Sequence, residues 1–453
     1  MNTAKTYCET LQKIVQEQPH NLVARNNLGA AFFALHQWPE AIEQFHIVLQ
    51  QNPDYIDAWY NLGLALMRQS RWKEATETWQ QLLSRAPKHD AARFHLGCCD
   101  MAQENFTLAE KAFRQVIEQQ PNHVESHYNL ATCCLKQGGL KEAYAHYQIA
   151  AQLTPEDKNA LFNLGVIAAQ LNEIDQAIRY YQQAIQRDAD FFAAHYNLAL
   201  TFMARHHVEL ALRHLKQALH IQPDNKNIQY LIDMLNQHKN PKGAPAEYIT
   251  TLFDAYADHY DEHLTQALDY VLPKLFLQAA DLSKKISLDI LDIGCGTGLC
   301  SAPFKPYAKT LTGVDLSEKM LNYAKQKNIF DTLIQNNIES FLETQSAAYD
   351  LILAGDVLVY IGELDTLFSR VHTALRKNGV FLFNTEIADE QDYQMNQSGR
   401  YGHSKSYLTS LAEKFHFTIT QMKKITSRLQ NNQPVYGYLC VFVSSLRATK
   451  FLT

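Results

Sequence analysis

The chain has 453 residues, of which 46% are hydrophobic and 19% charged; this composition excludes a disordered polymer, a collagen-like fibre or a disulfide scaffold and suggests about two to four domains. Lys and Arg total 41 against 47 Asp and Glu, a net charge of −6. The deficit is spread evenly along the chain, so no basic footprint for nucleic acid is expected.

The eight cysteines are too sparse for a disulfide framework and read as reduced thiols of a cytoplasmic protein. The N-terminal segment lacks an apolar signal core, and no stretch approaches the ~18 apolar residues of a membrane span. The pairs Cys98–Cys99 and Cys133–Cys134 read as small packing residues, because adjacent side chains on a helix point about 100° apart; no metal site is expected.

The N-terminal half repeats every 34 residues. Leu28, Leu62, Leu96, Leu130, Leu164 and Leu198 mark the period, each followed by Gly or Ala. Twelve residues after that small residue stands Ala41, Ala75, Ala109, Ala143, Ala177 or Ala211, and four further on the bulky Phe45, Trp79, Phe113, Tyr147, Tyr181 or Leu215. A breaker then follows at Pro53, Pro87, Pro121, Pro155 and Pro223, with Ala189 the exception. Small residues let paired helices approach, the bulky residue fills the space above the contact, and Pro ends the pair. The pattern resembles the tetratricopeptide repeat, with six units over 22–225, a partial repeat before them and a closing helix from Lys226 to Gln237. Such arrays present a concave groove to a protein or an extended peptide.

The residue before each signature Leu is Asn27, Asn61, His95, Asn129, Asn163 or Asn197. An amide can donate to and accept from a peptide unit, so this column is a candidate partner-binding ladder, similar to the one in the repeat domain of O-linked N-acetylglucosamine transferases. The competing reading is that these side chains serve local helix carbonyls or packing between repeats.

Residues 1–240 are thus expected as the repeat array, 241–247 as a linker and 248–453 as a second domain. The Pro- and Gly-containing stretch from Gln237 to Glu247 carries the boundary. From Leu288 onward, strand-like runs alternate with helical ones, as in a doubly wound, mostly parallel α/β sheet whose site lies at the strand C-termini.

The first strand runs into Asp292, Gly294, Cys295, Gly296, Thr297 and Gly298, and Asp315 ends the second strand. Leu299 breaks the dinucleotide fingerprint and a Walker lysine is missing. The D-x-G-x-G-x-G run with Asp315 resembles class I S-adenosylmethionine-dependent methyltransferases. The resemblance implies a Rossmann-like, seven-stranded sheet, S-adenosyl-L-methionine as donor and S-adenosyl-L-homocysteine as product. It implies that Asp315 accepts from the ribose hydroxyls, that Asn337 and Ile338 meet the base, that Gly355 lies with Asp356 around the sulfonium and the acceptor, and that Leu316 and Met320 are further cofactor-binding residues. The run Phe253 to Asp261 looks like the F-D-x-Y-A-x-x-Y-D lead-in helix of small-molecule methyltransferases, with Tyr256 and Tyr260 toward the methionine end.

Asp356 ends the fourth strand, where it is a candidate to balance the sulfonium, orient the acceptor or take its proton. Tyr360, Glu386, Arg400, Tyr401 and His403 are candidate substrate residues. Arg400 would hold a carboxylate, His403 would act as a base, and the polar run from Ala388 to Leu408 reads as a lid. The absence of N-P-P-Y and of a Pro-Cys nucleophile disfavours nucleobase methylation. The second half resembles a bacterial group of predicted repeat-containing methyltransferases and, more weakly, malonyl-acyl-carrier-protein and quinone-pathway methyltransferases. The leading expectation is methylation of a protein or protein-carried acceptor recruited by the repeats. The alternatives are a small-molecule O- or C-methyltransferase with repeats used for assembly, and a cofactor-sensing scaffold.

Overall fold

The computed structural model describes residues 2–236, 241–267, 270–282, 287–389, 391–396, 398–430 and 433–445. Its contacts divide the chain into two compact units, 1–218 and 219–453.

The first unit is all helical. After Asn2–Glu17 come the pairs Leu22–Ala34 with Trp38–Gln51, Ile56–Arg68 with Trp72–Arg85, Asp90–Ala102 with Phe106–Gln119, Val124–Lys136 with Leu140–Leu153, and Lys158–Gln170 with Ile174–Arg187. Phe192–Ala204 and Val208–Ile221 form the sixth pair. The small-against-bulky rule has a direct steric origin. A Cβ added at Gly63 would lie 2.5 Å from the Trp79 ring, and one at Gly29 or Gly165 would lie 2.5 Å from Phe45 or Tyr181. Each of these rings is buried, so the aromatic occupies the volume that the glycine leaves empty.

A second column was not evident from the spacing. At the repeat-equivalent positions Arg25, Trp59, His127 and His195, side chains bond the turn carbonyls of Pro19, Pro53, Pro121 and Ala189, each six residues earlier. Ala189, the one position without a proline breaker, accepts the same bond at 3.0 Å. Pairing that carbonyl, rather than the Pro ring, is what this turn shares with those at Pro19, Pro53 and Pro121.

The second unit contains a nine-stranded sheet. β1 (Leu288–Ile293) pairs in parallel with β2 (Ala308–Asp315) and with β4 (Tyr349–Ala354). β2 continues to β3 (Thr332–Gln335), and β4 to β5 (Leu375–Ile387), again in parallel. The expected seven-stranded core is completed by the antiparallel pair β8 (Phe417–Gln430) and β9 (Gln433–Ser444), with β9 against β5. Leu291, Ile293, Phe381 and Phe383 face one side of the sheet, while Ile290, Leu311, Leu353 and Leu382 face the other. Alternation between two buried faces gives the continuous apolar runs of the sequence.

Two features differ from the expectation. The polar run anticipated as a lid supplies two further strands. β6 (Tyr393–Met395) pairs with β7 (Tyr401–His403), and β7 pairs in parallel with the end of β5. Met395, Tyr401 and His403 are buried and Tyr393 is half-buried, a signal masked by the surrounding polar residues. The helix expected to close the array, Lys226–Asn236, lies in the second unit. There Tyr230 donates to the Gly399 carbonyl at 2.7 Å. Gln237 and residues up to 240 lie outside the described residues. The rest of the expected linker is hydrogen-bonded rather than free: Ala244 N–H donates to Tyr360 O, and Gly362 and Glu363 N–H both donate to Lys242 O.

Gly63→Ala is expected to destabilise the array by about 1–3 kcal/mol, because the added methyl must displace a ring with no free volume beside it. Urea unfolding of the full chain, followed by far-ultraviolet circular dichroism, measures the change; an unaltered midpoint would contradict the steric account.

Candidate active site

Parallel strands send their C-terminal loops to one edge of the sheet, and four of them meet there around a cavity of about 380 Å³. β1 contributes Gly294 and Gly296, β2 Asp315 and Leu316, β3 Asn337 and Ile338, and β4 Gly355 and Asp356. Tyr260 and Tyr360 also line it. Ala246, Ile249 and Phe253 of the helix Ala246–Tyr256 form an apolar side, with Lys242 and Gly243 of the preceding segment beside them.

The glycine loop is shaped by hydrogen bonds and by space. Gly294 has φ +68°, and a Cβ there would lie 2.4 Å from Val357. Gly294 and Cys295 N–H donate to Val314 O, and Gly296 N–H donates to Asp315 Oδ2 at 2.8 Å. Asp315 Oδ1 accepts from Ser317 N–H at 2.9 Å. Burial raises the Asp315 carboxyl pKa, against the opposing pull of these N–H groups.

Several expected cofactor residues support the cavity without lining it. Asp292 is buried beneath the loop, where Ser301 donates to Oδ2; its Oδ1 has no partner among the described residues. Burial pushes its pKa up to about 7. Cys295, Thr297 and Met320 are buried behind the wall, and a Cβ at Gly298 would meet Phe330 at 2.7 Å. Tyr256 bonds His263 rather than facing the cavity. The Asn337 side-chain oxygen caps the helix Ile338–Glu343, accepting from Glu339 and Ser340 N–H, so the acceptor expected for a base is already engaged.

The lead-in segment is held by its acids. Asp254 accepts from Ser317, Asp258 from Tyr323 at 3.0 Å, and Asp261 from Thr297 while pairing with Lys327 at 2.5 Å. Sequence reasoning fixed on the tyrosines and missed these residues. The signal was present in the spacing 254, 258 and 261, which approximates one helical face.

The substrate candidates form a buried ionic cluster behind Asp356. Arg400 Nε donates to Glu386 at 2.7 Å, Nη1 to Tyr360 Oη at 3.1 Å, and Nη2 to Asp356 Oδ1 at 3.4 Å. Its guanidinium lies 5.2 Å from the Tyr360 ring centroid. Glu386 pairs also with Arg428 at 3.0 Å and accepts from Asn396 at 3.1 Å. With every nitrogen engaged, Arg400 does not present the carboxylate anchor expected of it. His403 likewise does not reach the cavity. It is buried, one ring nitrogen bonds Thr385, the other faces the Ile361 and Gly362 carbonyls, and burial lowers its pKa to about 4. It is a neutral packing histidine beside Tyr407, and its expected role as base is set aside. Tyr401 is buried against Tyr393.

One residue that the sequence did not single out is Asn384. It is buried on β5, its Oδ1 accepts from Asp356 N–H at 2.7 Å, and its Nδ2 donates to Asp356 Oδ1 at 2.8 Å. This reciprocal pair holds Asp356 at φ +57°, a left-handed conformation rare outside glycine.

In the repeats, most ladder members reach back toward the preceding unit. Asn61 donates to Asn26 at 3.3 Å, His95 contacts Tyr60 at 3.4 Å, Asn129 contacts Cys98 Sγ at 3.7 Å, and Asn163 donates to Tyr128 at 2.9 Å. Asn27 and Asn197 occupy the equivalent half-buried places in the first and last units. Among the described residues no group of three or more His, Cys, Asp or Glu is placed to hold a metal ion. Burial pushes the Cys98 and Cys99 thiols to about 12. No described helix is long and apolar enough to cross a membrane.

Comparison with known proteins agrees with this division. Residues 291–383 match the methyltransferase domain family. Residues 29–70, 56–89, 100–158 and 159–191 match tetratricopeptide repeat families. The chain carries tetratricopeptide repeats and a methyltransferase domain. It is 27% identical over 133 residues to a ubiquinone biosynthesis O-methyltransferase of Rickettsia akari, covering 28% of this chain and 51% of that one. It is 30% identical over 151 residues to a malonyl-acyl-carrier-protein O-methyltransferase of Halalkalibacterium halodurans, covering 30% and 55%. The chain thus spans about half the length of these curated relatives. Among solved structures, YrrB, described as a repeat protein with an unusual peptide-binding site, aligns at a TM-score of 0.38 with 20% identity over 41% of this chain and 96% of that one.

The raised Asp292 pKa has a consequence for stability. The folded chain keeps a proton that the unfolded chain, with an ordinary aspartate near 3.9, releases as pH rises above about 4. This group's contribution to stability therefore falls between about pH 4 and 7, by roughly 1.4 kcal/mol per pH unit. Urea unfolding across that window is expected to show the wild type losing stability relative to Asp292→Asn; parallel curves would contradict the shift.

Proposed function

We propose that the protein is an S-adenosyl-L-methionine-dependent methyltransferase that modifies a protein or a protein-carried acceptor recruited by its repeats. The observation that carries the transferase reading is the convergence of the glycine loop, Asp315 and Asp356 on one cavity at the C-terminal edge of the parallel strands. The residues present fit the cofactor. Asp315 offers a carboxylate for vicinal hydroxyls, and Gly294 and Gly296 permit close approach of backbone. Leu316, Ile338 and Tyr260 supply apolar and aromatic surface for a base or the methionine chain. When bound, the cofactor supplies a methyl group already activated on a sulfonium. The chain's own work is to hold the acceptor in line, exclude water with Phe253, Ile249 and Tyr360, and orient Asp356 through Asn384.

Support for recruitment comes from the repeat face, where Phe94, Tyr128, Asn129, Glu125 and Asp157 line a furrow of about 570 Å³. The second reading, a small-molecule O-methyltransferase with repeats used for assembly, is favoured by the names of the relatives at 27% and 30% identity.

Calorimetry with S-adenosyl-L-methionine and S-adenosyl-L-homocysteine tests the cofactor. Micromolar binding is expected, weakened at least 100-fold in Asp315→Ala, since hydrogen bonds to a charged group contribute about 1.5–3 kcal/mol each. No binding by the wild type would sink the enzyme reading. Recruitment is tested with the double variant Asn61→Ala and Asn163→Ala. Methyl transfer to the macromolecular fraction of a cell extract is expected to fall at least tenfold with cofactor affinity unchanged. Transfer confined to small molecules in the wild type would favour the second reading.

A further inference from the structure

Four carboxylates, Asp315, Glu339, Asp356 and Glu363, line the cavity against one ammonium, Lys242. Lys242 is paired with Glu363 at 2.6 Å. The arginine nearest the β4 end is turned away from any ligand by the bonds it makes to Glu386, Tyr360 and Asp356, with its side chain only 14% exposed. A carboxylate or phosphate brought beside Asp356 would meet like charge, and no described cavity-lining side-chain cation is left unpaired to offset it. The remaining surface, Phe253, Ile249, Tyr360, Ile361 and Val357, suits a flat apolar group, and Phe253 and Tyr360 stand edge to face at 5.5 Å.

Asp356 is arranged to act on such a group. Its Oδ1 is saturated by Asn384 and Arg400, while its Oδ2 has no partner among the described residues. The left-handed backbone that aims it into the cavity is maintained by a buried amide that does nothing else in the site. The conformation is one that Asp adopts more readily than most residues, and here the Asn384 pair fixes it at the cavity wall.

We propose that the methyl acceptor is a neutral hydroxyl on an apolar or aromatic group, and that Asp356 Oδ2 takes its proton. The inference rests on the transferase reading and narrows it by excluding anionic acceptors. The acceptor's O–H bond breaks toward Asp356 Oδ2 as its oxygen bonds the methyl carbon. The bond from that carbon to sulfur breaks with its electron pair left on sulfur, so the sulfonium becomes a neutral thioether and the carboxylate becomes a carboxylic acid. A carboxylate acceptor would need no base, so the requirement for Asp356 separates the two chemistries.

The test uses the full chain, methyl-labelled S-adenosyl-L-methionine, and two panels of matched size: catechols and hydroxyphenyl compounds, and aromatic or thioester-bearing carboxylates. Label is expected in the hydroxyl panel as an ether stable to mild base. Asp356→Asn, which tolerates the left-handed backbone as well as Asp does, is expected to lower transfer by about 10²–10⁴-fold. It should leave S-adenosyl-L-homocysteine affinity within threefold by calorimetry. Its activity should recover as pH approaches about 10, where a phenol ionises by itself. Label released as methanol by mild base, or transfer undiminished in Asp356→Asn, would overturn the proposal. Failure of the wild type to bind S-adenosyl-L-homocysteine would instead sink the transferase reading, and this proposal with it.

Discussion

Parallel pairing of β1 with both β2 and β4 is the constraint on which the second unit depends. It forces each strand to return by a crossover, and it sends every C-terminal loop to the same edge. Residues as distant as Gly294 and Asp356 therefore share a cavity without any sequence proximity. The glycine loop shows how closely the elements are coupled. Gly296 N–H reaches the carboxylate at the end of the neighbouring strand, while Val357 after β4 fills the space a side chain at 294 would need. Three adjacent strands thus shape one turn.

The site is pre-organised by a buried ionic layer. Glu386 pairs with Arg400 and Arg428 and accepts from Asn396 at 2.7–3.1 Å, and the layer terminates at Asp356 and Tyr360 on the cavity wall. Buried charges are costly unless each is paired and hydrogen-bonded, and here the pairing also defines which oxygen of Asp356 stays available. The β6–β7 ribbon extends the sheet and delivers Arg400 immediately before β7, so what resembled a mobile lid is instead part of the scaffold.

The repeat unit works by a simpler rule. Each glycine on a first helix is matched by a ring on the second, and the turn carbonyls of Pro19, Pro53, Pro121 and Ala189 are each matched by a donor six residues on. The glycine–ring contact packs the two helices of one unit, while these turn bonds tie one unit to the next. The ladder amides then join successive units, and an amide with two N–H groups and one carbonyl retains capacity beyond a single bond.

Periodicity and contiguous motifs were legible in the sequence because their physics is local. A 34-residue period marks helix pairs by steric fit, an apolar run followed by glycines marks a strand and its turn, and an acid marks the end of the next strand. Gly294, Gly296, Asp315, Gly355 and Asp356 were found this way and do meet. What only the tertiary structure decided is how side chains far apart in the chain compete for one another. Arg400 and His403 look available in sequence, yet one is drawn to Glu386 and the other to backbone carbonyls. Asn384 looks like an ordinary strand residue, yet it sets the backbone of Asp356. The helix after the repeats looks like a cap on the array, yet its Tyr230 bonds Gly399, 169 residues away. The hydrogen-bonding valence of each polar group is fixed by its chemistry, but which partner satisfies it is fixed by distance in the folded chain.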